Sequence, residues 1–387
     1  MDVVLSSPLL ADQNTALPLD PGLARSQPVD FADLPGWPGD DHLALFHVFQ
    51  RSCLAPVSLS AGIQRQAALA SICDTVKANI HSSVSDAASA RQFFESGFAP
   101  WQIQPVTGGG FLTGYFEPEF PGSLTRTDAF QTPLYARPLD LVTRGAGDTW
   151  PGLDPALAAA QQSPDGLVPY PDREAIETGA LEGRGLEIMW LRDPVDRFVM
   201  QVQGSARIRL ADGTIKRLAY SGRNGHAYSS LGRILVKEEG IAPAQMTMDR
   251  LVARLRADPV EASRLIRRNR SFVFFRLADE LAPELGPIGG EGVPLTPLRS
   301  LAADRSIWPY GTPVVVSGQL PIVEGGTAPL ARAAIIQDTG SAILGPARLD
   351  LFFGSGPAAG HLAGLVRHPM TMFVLWPRRA AAHAPPP

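Results

Sequence analysis

Residues 336–356, IQDTGSAILGPARLDLFFGSG, set two carboxylates, Asp338 and Asp350, into a run that is otherwise apolar and rich in glycine. Leu349, Leu351, Phe352 and Phe353 crowd the second of them. An apolar surrounding disfavours the charged form of an acid, so Asp350 is a candidate general acid held protonated near neutral pH. The same pattern fits a structural account, in which Asp338 closes the turn before Gly340 and Asp350 accepts from backbone amides at a strand end. Either way the segment is a turn and a strand end.

Working outward, 37 glycines and 36 prolines in a chain with few long helical periodicities argue for a β-rich fold with many turns. A chain of 387 residues with 45% apolar content can bury a substantial core in one or two domains. A net charge of −4 gives no nucleic-acid or polyanion signature. No internal repeat and no bilayer-length apolar run is found. The N-terminus, MDVVLSSPLLADQNTALPLDPG, lacks both the pattern of a secretory signal and a lipoprotein-type cysteine. Cys53 and Cys73 fit either a disulfide or two buried thiols. No histidine lies at ligand spacing from either cysteine, and no phosphate-cradling loop is present, so neither a metal nor a cofactor is expected. The end, RRAAAHAPPP, has the composition of a disordered tail.

From His42 to Trp101 the pattern is helical, with Leu69, Ile72, Val76 and Ile80 spaced at three and four; a second helix is expected over 86–95, stopped at Gly97. Phe93, Phe94, Phe98 and Trp101 then read as core. After the turn at 108–110, Thr113, Tyr115 and Glu117 share one face of a strand and could meet a ligand. Residues from Pro121 to about Arg276 read as a separate module. It should hold a mobile loop over 144–166, strands over 186–190 and 197–203, and a hairpin turning at Asp212 and Gly213. Gln201, Gln203, Ser205 and Arg207 would line one face of that hairpin's first strand. Helices follow up to Gly240, over 247–257, and over 258–268, where Asp258, Pro259 and Glu261 suggest a capping box. His226 reads as a capping residue, and Arg264, Arg267, Arg268 and Arg270 as a solvated helix face. Trp308 follows Asp304 on a loop, where it either stacks on a ligand or packs, and His361 would lie on the rim of the site.

The runs GPIGGEGVPLTPLRSLAADRSIWPYGTPVVV, IIQDTGSAILGPARLDLFFGSG and AAGHLAG resemble the C-terminal three-aspartate domain of the membrane-bound lytic murein transglycosylase A family. LTGYFEPEF, TPLYARP and FVMQVQGSARIRLADGTIKRLAYSGRNGHAYSSLGRIL match the same family in the same order, so the resemblance runs from about Phe111 to Trp376. It implies an α+β fold, mainly β with an α-helical N-terminal segment. A double-psi β-barrel domain (1–119 and 277–387) would be interrupted by a β-rich glycan-binding domain (120–276), with a groove between them. It implies peptidoglycan cleavage with Asp350 as the single acid and base, Asp338 supporting, and Asp304 the weakest of the three. Thr113, Tyr115, Glu117, Gln201, Gln203, Ser205, Trp308, Gly340 and Gly354 are the substrate-binding candidates. The expected partner is the peptidoglycan glycan strand, met by a monomer, with wall-synthesis or division complexes left open. The expected place is the periplasm, with outer-membrane association open. Two rivals stay in view: an inverting hydrolase using two aspartates, and a non-catalytic wall-binding protein of the expansin kind.

Overall fold

The computed structural model describes residues 17–55, 67–78, 84–145, 147–242, 245–282, 284–322 and 326–378. Strand β1 (Ala24–Pro28) precedes helix α1 (His42–Leu54), which begins where the Asp41 carboxylate accepts from Ala44 N. Helix α2 (Ala67–Ala78) follows, then α3 (Ala87–Gly97), whose start is a reciprocal cap between Asp86 and Ser89. The Cys53–Cys73 disulfide, which the sequence left open, ties α1 to α2. Helical expectation ran on to Trp101, but the chain becomes extended at β2 (Phe98–Pro105). There the backbone pairs with β1 on one side and the C-terminal strand on the other, and that pairing overrides the local pattern. Phe93, Phe94 and Phe98 pack on Phe49 as core. Strand β3 (Phe111–Glu117) then carries Thr113, Tyr115 and Glu117 on one face.

The chain now enters a second unit: β4 (Glu119–Ser123), β5 (Thr132–Tyr135), β6 (Leu141–Thr143), β7 (Ala159–Ser163), β8 (Gly166–Pro169) and the single turn α4 (Arg173–Ala175). It continues through β9 (Glu187–Leu191), α5 (Pro194–Gln203), β10 (Ser205–Arg209), β11 (Ile215–Arg223), α6 (Leu231–Glu239), α7 (Met248–Ala257), α8 (Pro259–Arg267) and β12 (Val273–Leu277). Six strands pair in the order β12-β11-β10-β4-β9-β5, and β6-β7-β8 form a small sheet. Three expectations for this unit are corrected. Residues 144–166, read as a mobile loop, include β7, and Arg144 there stacks over Trp150. Residues 197–203, read as a strand, are helical: Asp193 caps the N-terminus, Pro194 stands in the first turn, and Gly204 at φ 84 stops the helix. Those end signals outweigh a polar alternation that a helix buried over most of its length also produces. The hairpin turns as expected, with Gly213 at φ 85 and Thr214 N donating to Asp212. Asp258 caps α8, but Glu261 turns to Arg264 and completes no capping box. Arg264, Arg267, Arg268 and Arg270 are each paired with an acid, giving a charge-balanced face.

The last third returns to the first sheet with β13 (Ser300–Ala302), β14 (Pro313–Pro321), β15 (Thr327–Asp338), β16 (Arg348–Ser355), helix α9 (Gly356–Leu365) and β17 (Arg367–Pro377). The order is β1-β2-β17-β14-β15-β13-β16-β3, and β3 also pairs with β17. Strands β17, β14, β15, β13, β16 and β3 therefore close into a six-stranded barrel, with parallel pairing at β13/β15 and β3/β16. This is where the resemblance puts its double-psi barrel. The VVV run of β14 is continuous because both faces are buried: Val314 and Val316 fill the barrel, while Val315 meets the N-terminal helices. Ile336 with Ile335, and Val374 with Phe373, divide in the same way. Among the described residues, no helix is long and apolar enough to cross a membrane. The expectations for the N-terminal 16 residues and for the tail after Arg378 lie outside the described residues.

Candidate active site

Strand register assembles the site. Ala302 of β13 is opposite Asp338 of β15 on one side and Asp350 of β16 on the other, so the two aspartates flank one strand. Thr113 of β3 is in register with Asp350, and its hydroxyl donates to Asp350 Oδ1 at 2.6 Å. Tyr115, two residues on and on the same face, donates to Asp338 Oδ2 at 2.9 Å. Gly290 N and Thr339 N both donate to Asp338 Oδ1 at 2.8 Å. Between Thr113 and Tyr115, a Cβ at Gly114 would come within 2.8 Å of Ala363 Cα, so glycine is what lets α9 lie against β3.

Asp350 is only partly accessible and closely surrounded, and burial pushes its carboxyl up to about 6. The Thr113 hydroxyl and the Arg348 guanidinium oppose that rise, and the nearby Asp338 adds to it. Burial also raises Asp338, against the pull of its hydrogen bonds. The Tyr115 phenol is pushed well above its ordinary value, first by burial and then by Asp338, so it stays a donor. Asp350 Oδ2 has no hydrogen-bond partner among the described residues, whereas Asp338 accepts three hydrogen bonds. Asp304 is also fully engaged: Oδ1 accepts from Ser306, and Oδ2 from Gly345 N at 2.8 Å. It ties its own loop to the turn that precedes Asp350.

Several substrate-binding candidates are placed elsewhere. Glu117 is 0% exposed and is held by Arg207, Arg217 and Ser355. Arg207 and Arg217 face each other across β10 and β11, so Glu117 neutralises a like-charge pair and locks the barrel to the inserted unit. Gln201 donates to Val273 O, and Gln203 accepts from Phe116 N; both are joints in the fold. Ser205 is buried on β10. Trp308 is 0% exposed and donates from Nε1 to Pro346 O, so it packs in the barrel. Gly340 sits in the turn closed by Ile343 N, and Gly354, at φ 113, serves a bulge in β16. Both glycines have backbone reasons for being there. His226 is buried against Tyr170 O, and His361 is exposed on α9, 3.7 Å from Asp249. Sequence reasoning overlooked Arg348; the signal was its spacing of two from Asp350 on one strand.

The chain matches the MltA specific insert domain over residues 111–276 and the 3D domain over residues 299–376. It is 37% identical to the membrane-bound lytic murein transglycosylase A of Vibrio cholerae serotype O1 over 51% of this chain and 54% of that protein, so the match spans about half of that relative. With the Escherichia coli K12 protein of the same name, identity is 31% over 75% of this chain and 72% of that one. The crystal structure of a membrane-bound lytic murein transglycosylase from Agrobacterium tumefaciens has a TM-score of 0.79 at 36% identity, covering 91% of this chain and 98% of that chain. Escherichia coli MltA with bound chitohexaose gives a TM-score of 0.65 at 26% identity, covering 91% and 94%. By sequence and by fold, the chain belongs to the membrane-bound lytic murein transglycosylase A family.

Proposed function

We propose that this protein is a peptidoglycan lytic transglycosylase, cleaving the β-1,4 bond between N-acetylmuramic acid and N-acetylglucosamine with Asp350 as its single acid and base. One observation carries the reading: of the three aspartates, Asp350 alone keeps a carboxylate oxygen without a partner among the described residues, and it is the one pushed up to about 6. Protonated Asp350 gives its proton to the glycosidic oxygen as the bond to the muramyl anomeric carbon breaks. The carboxylate left behind faces the positive charge on that carbon. The muramyl O6 hydroxyl then attacks the same carbon and returns its proton to Asp350, closing a 1,6-anhydro ring. No water enters, and the attack within one sugar has a high effective concentration.

An inverting hydrolase would need a second carboxylate free to activate water. Asp338 is poorly suited, because its oxygens already accept from Tyr115, Gly290 and Thr339. Its role in this reading is to fix Tyr115 and the loop at Gly290, and to add to the charge that keeps Asp350 protonated. The relative solved with chitohexaose supports a glycan ligand. That strand would lie between the barrel unit (1–119 and 277–387) and the inserted unit (120–276). The relatives' names support an envelope setting, and we place the protein in the periplasm, associated with the outer membrane. The test is release of soluble fragments from purified peptidoglycan. Asp350→Asn should lower the rate by about 10²–10⁴-fold, the range for losing a general acid. Asp338→Asn should keep more activity than Asp350→Asn. An Asp350→Asn protein as active as the parent would overturn the assignment.

A further inference from the structure

The site holds positive charge that the reaction above does not use. Arg348 opens β16 two residues before Asp350; its Nη2 donates to Thr113 Oγ1 at 2.8 Å and its Nη1 to Leu349 O. The guanidinium carbon lies 5.6 Å from the Phe111 ring centroid. Arg367, at the start of β17, is opposite Thr113 in register and donates to Met246 O of the inserted unit. Met246 packs on α6, where a Cβ at Gly232 would sit 3.4 Å from its side chain, and the next residue is Arg233. Burial lowers the proton affinity of Arg348; the charge of Asp350 opposes this, while those of Arg233 and Arg367 add to it. Arg348 thus touches Thr113, the partner of Asp350, and the charges of Arg233 on α6 and Arg367 on β17 reach its guanidinium.

The more deeply buried arginines Arg173, Arg197, Arg217 and Arg299 each have a carboxylate partner. Among the described residues, neither Arg348 nor Arg233 has a carboxylate at ion-pair distance. A guanidinium held this way beside a catalytic acid is a waiting partner for an anion, and its planar fork suits a carboxylate. Resting on the transglycosylase reading, we propose that Arg348 and Arg233 form a subsite for a carboxylate on the muramyl side arm. That carboxylate is either the free lactyl group of a peptide-free strand or an acid of the stem peptide. The two arginines come from the barrel and the inserted unit, so the bound anion bridges the groove and sets the muramyl residue in register with Asp350.

The experiment measures binding, in an Asp350→Asn background that prevents turnover. Three probes are compared: chitohexaose, which has no acid, a peptide-free muramyl oligosaccharide of equal length, and its peptide-bearing counterpart. Adding Arg233→Gln should weaken binding of an acid-bearing strand by about tenfold while changing chitohexaose by less than about twofold. Rising salt should weaken binding of the strand whose acid is held and leave chitohexaose unchanged. Arg348→Lys, which keeps charge but loses the fork, should fall between the parent and Arg233→Gln. Dependence already seen with the peptide-free strand assigns the lactyl carboxylate; dependence confined to the peptide-bearing strand assigns the stem peptide. Equal weakening of all three probes, or of none, overturns the subsite and leaves the transglycosylase reading intact. Failure of every glycan to bind the Asp350→Asn protein overturns both.

Discussion

Asp350→Asn should stabilise the fold while removing its activity, and the size of the effect follows from burial. The Asp350 carboxyl stands at about 6 in the folded chain against an ordinary value of 3.8. A gap of that size corresponds to about 3 kcal/mol against the ionised form in the native state. The folded value lies above the unfolded one, so the protonated carboxyl's contribution is fully present below about pH 4 and is lost as pH rises through about 6. Asparagine keeps the neutral shape and an oxygen for the Thr113 hydroxyl, and never carries the charge. The variant should therefore gain about 3 kcal/mol near pH 8, about half of that near pH 5, and little below pH 4. Urea melts of both proteins at the two higher pH values measure this, and the difference between the gains cancels any packing cost that does not depend on pH. A gain that is equal at both, or a loss that deepens as pH rises, would refute the claim that Asp350 is held protonated by burial.

Three further outcomes can be checked. The rate should fall as pH rises through about 6, because the acid must be protonated; Thr113→Val removes a donor that favours the ionised form, so the fall should move to higher pH in a pH–rate profile. Glu117→Gln leaves Arg207 and Arg217 facing each other without their anion, and should cost about 3–5 kcal/mol in urea melts. Reducing the Cys53–Cys73 bond should cost about 3 kcal/mol for a loop of this length, read as a lower melting temperature with activity unchanged below it.

Much of the site was legible because its chemistry follows strand period. Asp350 stands out by its apolar neighbours, and Thr113 and Tyr115 by alternation, which does put them on the two aspartates. Alternation gives the face of a residue and not what crosses to meet it. Glu117 has the same face as Tyr115, yet its partners come from 90 and 238 residues away and bury it completely. Trp308 could not be divided between packing and stacking, because only closure of the barrel brings Pro346 O to its indole nitrogen. The strand expected over 197–203 failed on readable signals: Asp193, Pro194 and Gly204 bound a helix. Arg348 was likewise readable from its spacing to Asp350, whereas spacing along one strand could not show that, among the described residues, no carboxylate lies at ion-pair distance from it.

The most direct test of the account is the mass of the fragments released from purified peptidoglycan. Transglycosylation by Asp350 through the muramyl O6 predicts fragments ending in 1,6-anhydromuramic acid, lighter by one water than hydrolysed ends and absent with Asp350→Asn. Fragments with ordinary reducing ends would contradict it, and would require a second carboxylate able to activate water.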